Sequence, residues 1–385
     1  MPLPSYFTDF LSKIRLSPNQ RNDLITGHKT LRSRLEQDET LGDIIISTFL
    51  QGSYRRSTAV KPQGDKRADV DVIVVTNLDH STHTPADIIT LFTPFCEKHY
   101  KGKYNIQGRS IGIELSYVDL DIVITSAPSQ ADQNMLRSAS VTTSEDLSST
   151  SDWRLVQAWV EPSQRTAYGG AYNAMLESVR ATVEWKLAPL LIPDQDAQCW
   201  VETHPLEQIR WTRDKNKNTN AHFINVVKAL KWWRILRLAD LKYPKGYPVE
   251  HMIGNCCPDG ISSVAEGIVH TLESIVSTYS TYRYQEACPS LPDRGVPSHN
   301  VWKRVSGDDF VAFYDRVKEA ASIARAGLEA KTIQEKVANW QLLFGKEFPD
   351  APDNGGKSND SNGPSTSGGF SERTGTTTIG GGRFA

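Results

Sequence analysis

Near the start of the chain, apolar positions fall in two groups at helical spacing: Phe7, Phe10, Leu11 and Ile14, then Leu24, Ile25, Leu31 and Leu35 after a break at Pro18. Side chains three and four positions apart share a helix face, so the pattern predicts two opening helices within residues 5–37. The period then changes. DIIISTFLQGS runs from β-branched residues into small ones, and ADVDVIVVT and SYVDLDIVIT are β-branched runs with carboxylates set into them. These read as strands of one sheet. Between them, ADIITLFTPFCEKHY returns to helical periodicity. The succession strand, turn, strand, helix, strands over residues 44–125 predicts an α/β or α+β lobe.

Residues 126–165 are rich in Ser, Thr, Asp and Gln, a composition suited to a long excursion across the surface of that lobe. Beyond it the period is helical again in AHFINVVKALKWWRILRLA, SSVAEGIVHTLESIVSTY and DDFVAFYDRVKEAASIARAGLEA, which predicts a mainly helical second lobe. After Pro349 large apolar residues nearly vanish and Gly, Ser, Asn and Thr dominate. Residues 351–385 then cannot offset the entropy of ordering and read as a disordered tail. The expected organisation is an α/β or α+β lobe over 1–165 that includes the opening helices, a helical lobe over 166–350, and the tail. No internal repeat is visible.

Composition narrows the function. A chain of 385 residues is long enough for about two units that each bury a core. Lys+Arg 43 against Asp+Glu 45 leaves a net charge of −2, so no global basic excess holds a long nucleic acid by its phosphates. A local basic cleft stays compatible with that balance. The opening MPLPSYFTDFLSKIR has no uninterrupted apolar stretch, and no segment approaches the roughly 20 apolar residues of a membrane helix. The chain therefore reads as soluble and cytoplasmic. Its cysteines, Cys96, Cys199, Cys256, Cys257 and Cys288, are odd in number and form no CxxC pair, as expected for reduced thiols.

The candidate chemistry lies in the strands. Side chains at i and i+2 of a strand point to one face, so Asp69 and Asp71 project together, and the same spacing recurs at Asp119 and Asp121. The apolar runs IVV and IVI beside them predict strands covered on both faces, where an uncompensated charge is costly. Adjacent strands could bring a third carboxylate to the first pair. Such an oxygen set suits hard divalent cations, two of them roughly 3.5–4 Å apart around a phosphoryl group. Upstream, in FLQGSYRRSTAV, Gly52 lets backbone approach a ligand closely and Ser53 offers a hydroxyl and an amide. If YRRST opens a short helix, its first N–H groups face a phosphate.

GSYRRST, DVDVIV and YVDLDIVIT together resemble the motifs of the DNA polymerase β-like nucleotidyltransferases. NVVKALKWWR, YPKGYPVEHMI and LPDRGVPSHNV are similar to segments of the bacterial cyclic-oligonucleotide synthases called CD-NTases, clade D in particular. The resemblance covers roughly residues 1–350. It implies an α+β fold: a polymerase β-like lobe with a mixed sheet, plus a helical lobe. It also implies an enzyme that condenses ATP and GTP into a cyclic messenger of anti-phage signalling. A purine trinucleotide such as cyclic AMP-AMP-GMP is the implied product, with Mg²⁺ as cofactor and Mn²⁺ as the alternative.

Carried over position by position, the resemblance makes Asp69 and Asp71 the first metal-binding pair and Asp121 the third catalytic carboxylate, ahead of Asp119. Gly52 and Ser53 match the triphosphate-binding turn, and Lys231 the helix lysine that reaches the donor phosphates. Arg55, with Arg56 and Lys66, is a secondary phosphate contact. His251, Cys256 and Cys257 resemble the zinc-binding insert of animal cyclic GMP-AMP synthase. Val264 stands where that insert has its fourth ligand, so core packing is expected there and no zinc. An RNA-directed terminal nucleotidyltransferase would share the sheet chemistry, but the near-neutral charge and the lack of an added basic domain speak against it. A non-catalytic binding module would not need all three carboxylates. No membrane or stable nucleic-acid partner is expected.

The ending GGGRFA resembles C-termini that ubiquitin-activating-like enzymes join to acceptor lysines, which makes such an enzyme a partner acting at Ala385. Deleting Gly380 to Ala385 should leave synthesis by the purified protein unchanged and remove covalent conjugates in cells that carry both genes. Conjugates that persist on a blot of the deletion variant contradict this reading.

Overall fold

Capping chemistry begins the helices close to where the apolar periodicity places them. The structure, a computed structural model, describes residues 3–64, 66–130, 133 and 188–352. Helices α1 (Pro4–Ile14) and α2 (Pro18–Glu36) both begin on proline, and Ser17 and Gln20 close a capping box ahead of α2. A proline at the first helical position gives up an N–H that had no partner in the helix. Strand β1 (Ile45–Gln51) runs directly into a single helical turn, α3 (Gly52–Arg55). Then follow β2 (Asp69–Thr76), α4 (Pro85–Tyr100) behind a Thr84–Asp87 capping box, β3 (Tyr104–Ile106), β4 (Ile111–Glu114) and β5 (Asp119–Thr125).

The surface excursion expected over residues 126–165 lies mostly outside the described residues; β6 (Leu190–Asp194) and β7 (Cys199–Thr203) pair as a hairpin. Six helices complete the described chain: α5 (Pro205–Asn218), α6 (Phe223–Arg237), α7 (Gly246–Cys256), α8 (Val264–Tyr284), α9 (Gly307–Glu329) and α10 (Ile333–Phe344). Among the described residues no helix is long and apolar enough to cross a membrane. The tail beyond Pro352 lies outside the described residues.

The five strands β1-β2-β5-β4-β3 form one sheet in that order. Only β2 and β5 pair in parallel; the other three pairs are antiparallel. The sheet is therefore mixed, which resolves the fold class to α+β. Alternation sorts its residues. Val70, Val72, Val74, Leu120, Ile122 and Ile124 pack with α2 and α4 on one face. Ile73, Val75 and Val123 pack with Ile46 and Phe49 of β1 and Leu190 and Ile192 of β6 on the other. Asp69, Asp71, Asp119 and Asp121 share the phase of this second face and occupy its N-terminal end, beyond the apolar patch.

The helical core contains α1 as well as α6 to α10: Phe7, Phe10, Leu11 and Ile14 are buried with Trp340, Phe344 and Phe348. Two segments thus pack across the lobe division expected from sequence, α1 onto the helices and β6 onto the sheet. The expected boundary at residue 165 lies outside the described residues. The described residues through Ala351 belong to one compact unit.

Phe10 is fully buried, and its ring stacks on Phe344 with centroids 4.5 Å apart. Phe10→Ala should therefore cost about 3–5 kcal/mol, seen as a lower denaturation midpoint. Tyr284→Ala, at a side chain 90% exposed, should change stability by less than about 0.5 kcal/mol. Similar midpoints for the two variants would contradict this packing.

Candidate active site

Parallel register sets the geometry of the acidic cluster. Asp69 lies opposite Asp119 and Asp71 opposite Asp121 across the β2–β5 ladder. Burial pushes the Asp71 carboxyl up, repulsion from Asp69 and Asp121 adds to it, and the group reaches about 7 against the opposing pull of Arg56. Burial, then Asp69, raises Asp121 to about 6. Asp119 differs: Nε of Arg67 donates to its Oδ1 at 2.6 Å. A protein cation already serves Asp119, while Asp121 is met by a long contact from the Ser110 hydroxyl at 3.5 Å. That contrast favours Asp121 over Asp119 as the third site carboxylate.

The turn from β1 into α3 abuts this cluster. Gly52 has φ of +75°, and a Cβ built on it would stand 1.8 Å from Oδ2 of Asp71. Both the left-handed backbone and the close approach require glycine. The helical turn opens at Gly52 itself and ends at Arg55, so it starts two residues before the expected YRRST. Ser53 lies in that turn, and its carbonyl accepts from the amides of Thr58 at 2.9 Å and Ala59 at 3.1 Å. The chain after the turn is thereby folded back upon it.

The expected phosphate contacts separate. Arg55 is half-buried on α3 and Lys66 is exposed ahead of β2. Arg56 is 7% exposed, and its Nε donates to Oε1 of Glu250 at 2.7 Å. Its guanidinium also lies 5.0 Å from the centre of the Tyr247 ring. Arg56 is thus an interior ion-pair partner rather than a phosphate contact. Lys231 sits on α6 with its side chain 12% exposed, and its Nζ is 3.7 Å from Oε2 of Glu250 and donates to the Thr58 carbonyl at 2.9 Å. Burial holds its ammonium below the ordinary lysine range, with Glu250 and Asp69 pulling the other way. Burial alone would raise Glu250, but Arg56 and then Lys231 outweigh it and the carboxyl falls to about 2.

Tyr247, Asp293 and Arg294 extend this polar layer. The Tyr247 hydroxyl donates to Oδ2 of Asp293 at 3.1 Å, as does Nε2 of Gln208 at 3.2 Å. Arg294 covers the Trp211 ring at 3.3 Å. These residues lie in the YPKGYPVEHMI and LPDRGVPSHNV segments, but their partners are too distant in sequence to be inferred from it. His251, Cys256 and Cys257 are all buried. Burial raises the Cys256 thiol to about 11 and lowers the His251 imidazole to about 4, with Arg294 adding to the latter. Both groups are neutral at physiological pH.

The donor atoms at the strand ends are carboxylate oxygens, the chemistry a hard divalent cation takes. The repulsion that raises Asp71 and Asp121 is what a cation relieves. Among the described residues no three His, Cys, Asp or Glu side chains stand at mutual ligating distance. The fit to a cation is therefore one of donor chemistry and mutual repulsion, not of preformed ligand spacing.

Comparison with known proteins bears on the family and the fold. The sequence profile of the Second Messenger Oligonucleotide or Dinucleotide Synthetase domain matches residues 1–134. A cyclic AMP-AMP-GMP synthase of Enterobacter hormaechei is 46% identical over 366 residues, covering 93% of this chain and 95% of the relative. A cyclic AMP-AMP-AMP synthase of an Acinetobacter species is 30% identical, covering 91% of this chain and 86% of the relative. The solved structure of Escherichia coli MS115-1 CdnC with ATP superposes with a TM-score of 0.59 at 16% identity, covering 90% of this chain and 98% of that one. At that identity the likeness shows the fold.

The raised carboxyls carry a pH signature. Asp71 moves from an ordinary 3.8 to about 7 on folding, so between those values the native state holds more protons than the unfolded state. The contribution of Asp71 to stability must then fall as pH rises through that window and level off above it. A divalent cation favours the ionised form and should raise Tm more at pH 7.5 than at pH 5. Asp71→Asn should flatten both dependences in thermal melts. A stability difference between wild type and Asp71→Asn that does not change with pH, or that changes with the opposite sign, contradicts the site described.

Proposed function

The chain belongs to the bacterial cyclic-oligonucleotide synthases called CD-NTases, and we propose that it condenses ATP and GTP into a cyclic purine trinucleotide with release of pyrophosphate. The observation that carries this reading is the in-register alignment of Asp69 and Asp71 with Asp119 and Asp121 beside the Gly52 turn. The relative at 46% identity is named for a cyclic AMP-AMP-GMP product and the one at 30% for cyclic AMP-AMP-AMP, so cyclic AMP-AMP-GMP is the product we assign.

Gly52 and Ser53 hold the donor triphosphate by backbone amide and hydroxyl, with Lys231 and Arg55 beside its phosphates. Asp69, Asp71 and Asp121 would hold Mg²⁺, with Mn²⁺ the alternative, whose chemistry when bound would be to lower the pKa of the attacking ribose hydroxyl and offset charge on the departing pyrophosphate. Asp121 stands on the acceptor side. Its carboxylate, ionised beside the cation, is the group that would take up the proton of that hydroxyl. Each condensation forms one ribose O–P bond at the donor α-phosphate and breaks the bond from that phosphorus to pyrophosphate. Repeating it on the linear intermediate and then joining its ends closes the ring. The reading places the enzyme in the bacterial cytoplasm as a source of an anti-phage signal, with the ubiquitin-activating-like enzyme as a partner of its tail.

Incubation with labelled ATP, GTP, CTP and UTP plus Mg²⁺, with and without RNA, tests the assignment. A small phosphatase-resistant product made from ATP and GTP without RNA is expected. Extension of added RNA instead would favour a terminal nucleotidyltransferase, and no incorporation at all a binding module. Asp69→Asn with Asp71→Asn should lower synthesis by at least about a thousandfold while the melting temperature does not fall. A folded double variant that still makes product sinks the assigned site.

A further inference from the structure

Glu250 lies outside the residues assigned above to substrate, yet its carboxylate meets the candidate site from two directions. It sits on α7 and is 3% exposed. Oε1 accepts from Nε of Arg56 at 2.7 Å and Oε2 from the Thr58 hydroxyl at 2.9 Å. The ammonium of Lys231 lies 3.7 Å from Oε2 and donates to the Thr58 carbonyl at 2.9 Å. Thr58 in turn donates its amide to the Ser53 carbonyl at 2.9 Å. One buried carboxylate thus contacts both the lysine expected at the donor phosphates and the segment that folds back on the triphosphate-binding turn.

The energetics favour a fixed arrangement. A buried charge is tolerated only when its hydrogen bonds and counter-charges are in place, so each member of such a network is held by the needs of the others. A lysine with no fixed partner would have to order a long flexible side chain each time substrate binds. With Glu250 beside it, that ordering is complete in the free protein.

We infer that Glu250 is a positioning residue of the triphosphate site, holding Lys231 and the strand-to-helix turn in the arrangement that receives the donor phosphates. This rests on the proposed nucleotidyl transfer, in which Lys231 and Ser53 face the donor. The alternative is an ion pair that merely fastens α7 to the sheet.

A double-mutant cycle separates the two. Calorimetry with Mg²⁺ and an ATP analogue carrying a methylene between its α- and β-phosphates would measure binding to wild type, Glu250→Gln, Lys231→Met and the double variant. Members of one charge network couple non-additively. Glu250→Gln should weaken binding by about tenfold, within the range such networks show, and add nothing once Lys231 is Met. Glu250→Asp should recover part of the loss because the charge returns. Wild-type affinity in Glu250→Gln, or losses that multiply in the double variant, overturn the inference. Should Glu250→Gln fold poorly, Glu250→Asp, which keeps the buried charge but shortens its reach to Lys231 and Arg56, takes its place in the cycle. Weakened analogue binding by that folded variant supports the inference, and wild-type affinity overturns it. Binding needs no turnover, so a wild type that binds the analogue but makes no cyclic product removes the proposed reaction and leaves the cycle to decide on Glu250. A wild type that does not bind the analogue overturns both.

Discussion

Repulsion among the carboxylates at the ends of β2 and β5 is the constraint on which the rest of the site depends. Parallel pairing puts Asp71 beside Asp121 and Asp69 beside Asp119, and strand alternation puts all four on one face. Elsewhere that face is closed by apolar packing of Ile73, Val75 and Val123 against β1 and β6. Apolar residues at the acidic end would bury the same carboxylates with no route to a counter-ion. Leu190 and Ile192 of the β6–β7 hairpin cover that apolar part of the face.

Around that cluster the surrounding chain meets the charge in graded ways. Arg67 pairs with Asp119 at 2.6 Å. Arg56 lowers Asp71 from further away while spending its own hydrogen bond on Glu250. Nothing comparable meets Asp121 except the Ser110 hydroxyl among the contacts described. The result is an unequal set, with one carboxylate quenched by protein and two held high, and the unquenched ones are those best placed to respond to a cation or substrate. Gly52 is inseparable from this arrangement, because any side chain there would displace the Asp71 carboxylate that lies against its Cα.

How much of this could be read from sequence varies with the range of the interaction. The paired aspartates are visible because a strand's period of two is local, and their apolar neighbours announce burial within a few residues. Gly52 is visible for the same reason. The choice between Asp119 and Asp121 is not local, since it turns on Arg67, which reaches Asp119 across 52 positions. Arg55 and Arg56 carry the same charge in adjacent positions, and only the single turn of α3 sends Arg56 inward to a partner 194 positions away. The packing of α1 onto the second-lobe helices is equally silent in sequence: its apolar stripe states that a partner exists, not which one.

Holding two carboxyls high is a standing cost to the fold, because each ionises more readily in the unfolded chain. The structure sets that cost between two hydrophobic layers. Val70, Val72 and Val74 are fully or almost fully buried against α2 and α4 beneath the acidic end, and the opposite face is closed by the hairpin. A sheet anchored on both faces can tolerate repulsion at its rim without opening, which a two-stranded ribbon could not. Strain of this kind persists where surrounding packing over-determines it. The buried Arg56–Glu250 pair extends the anchoring from the turn after β1 to α7.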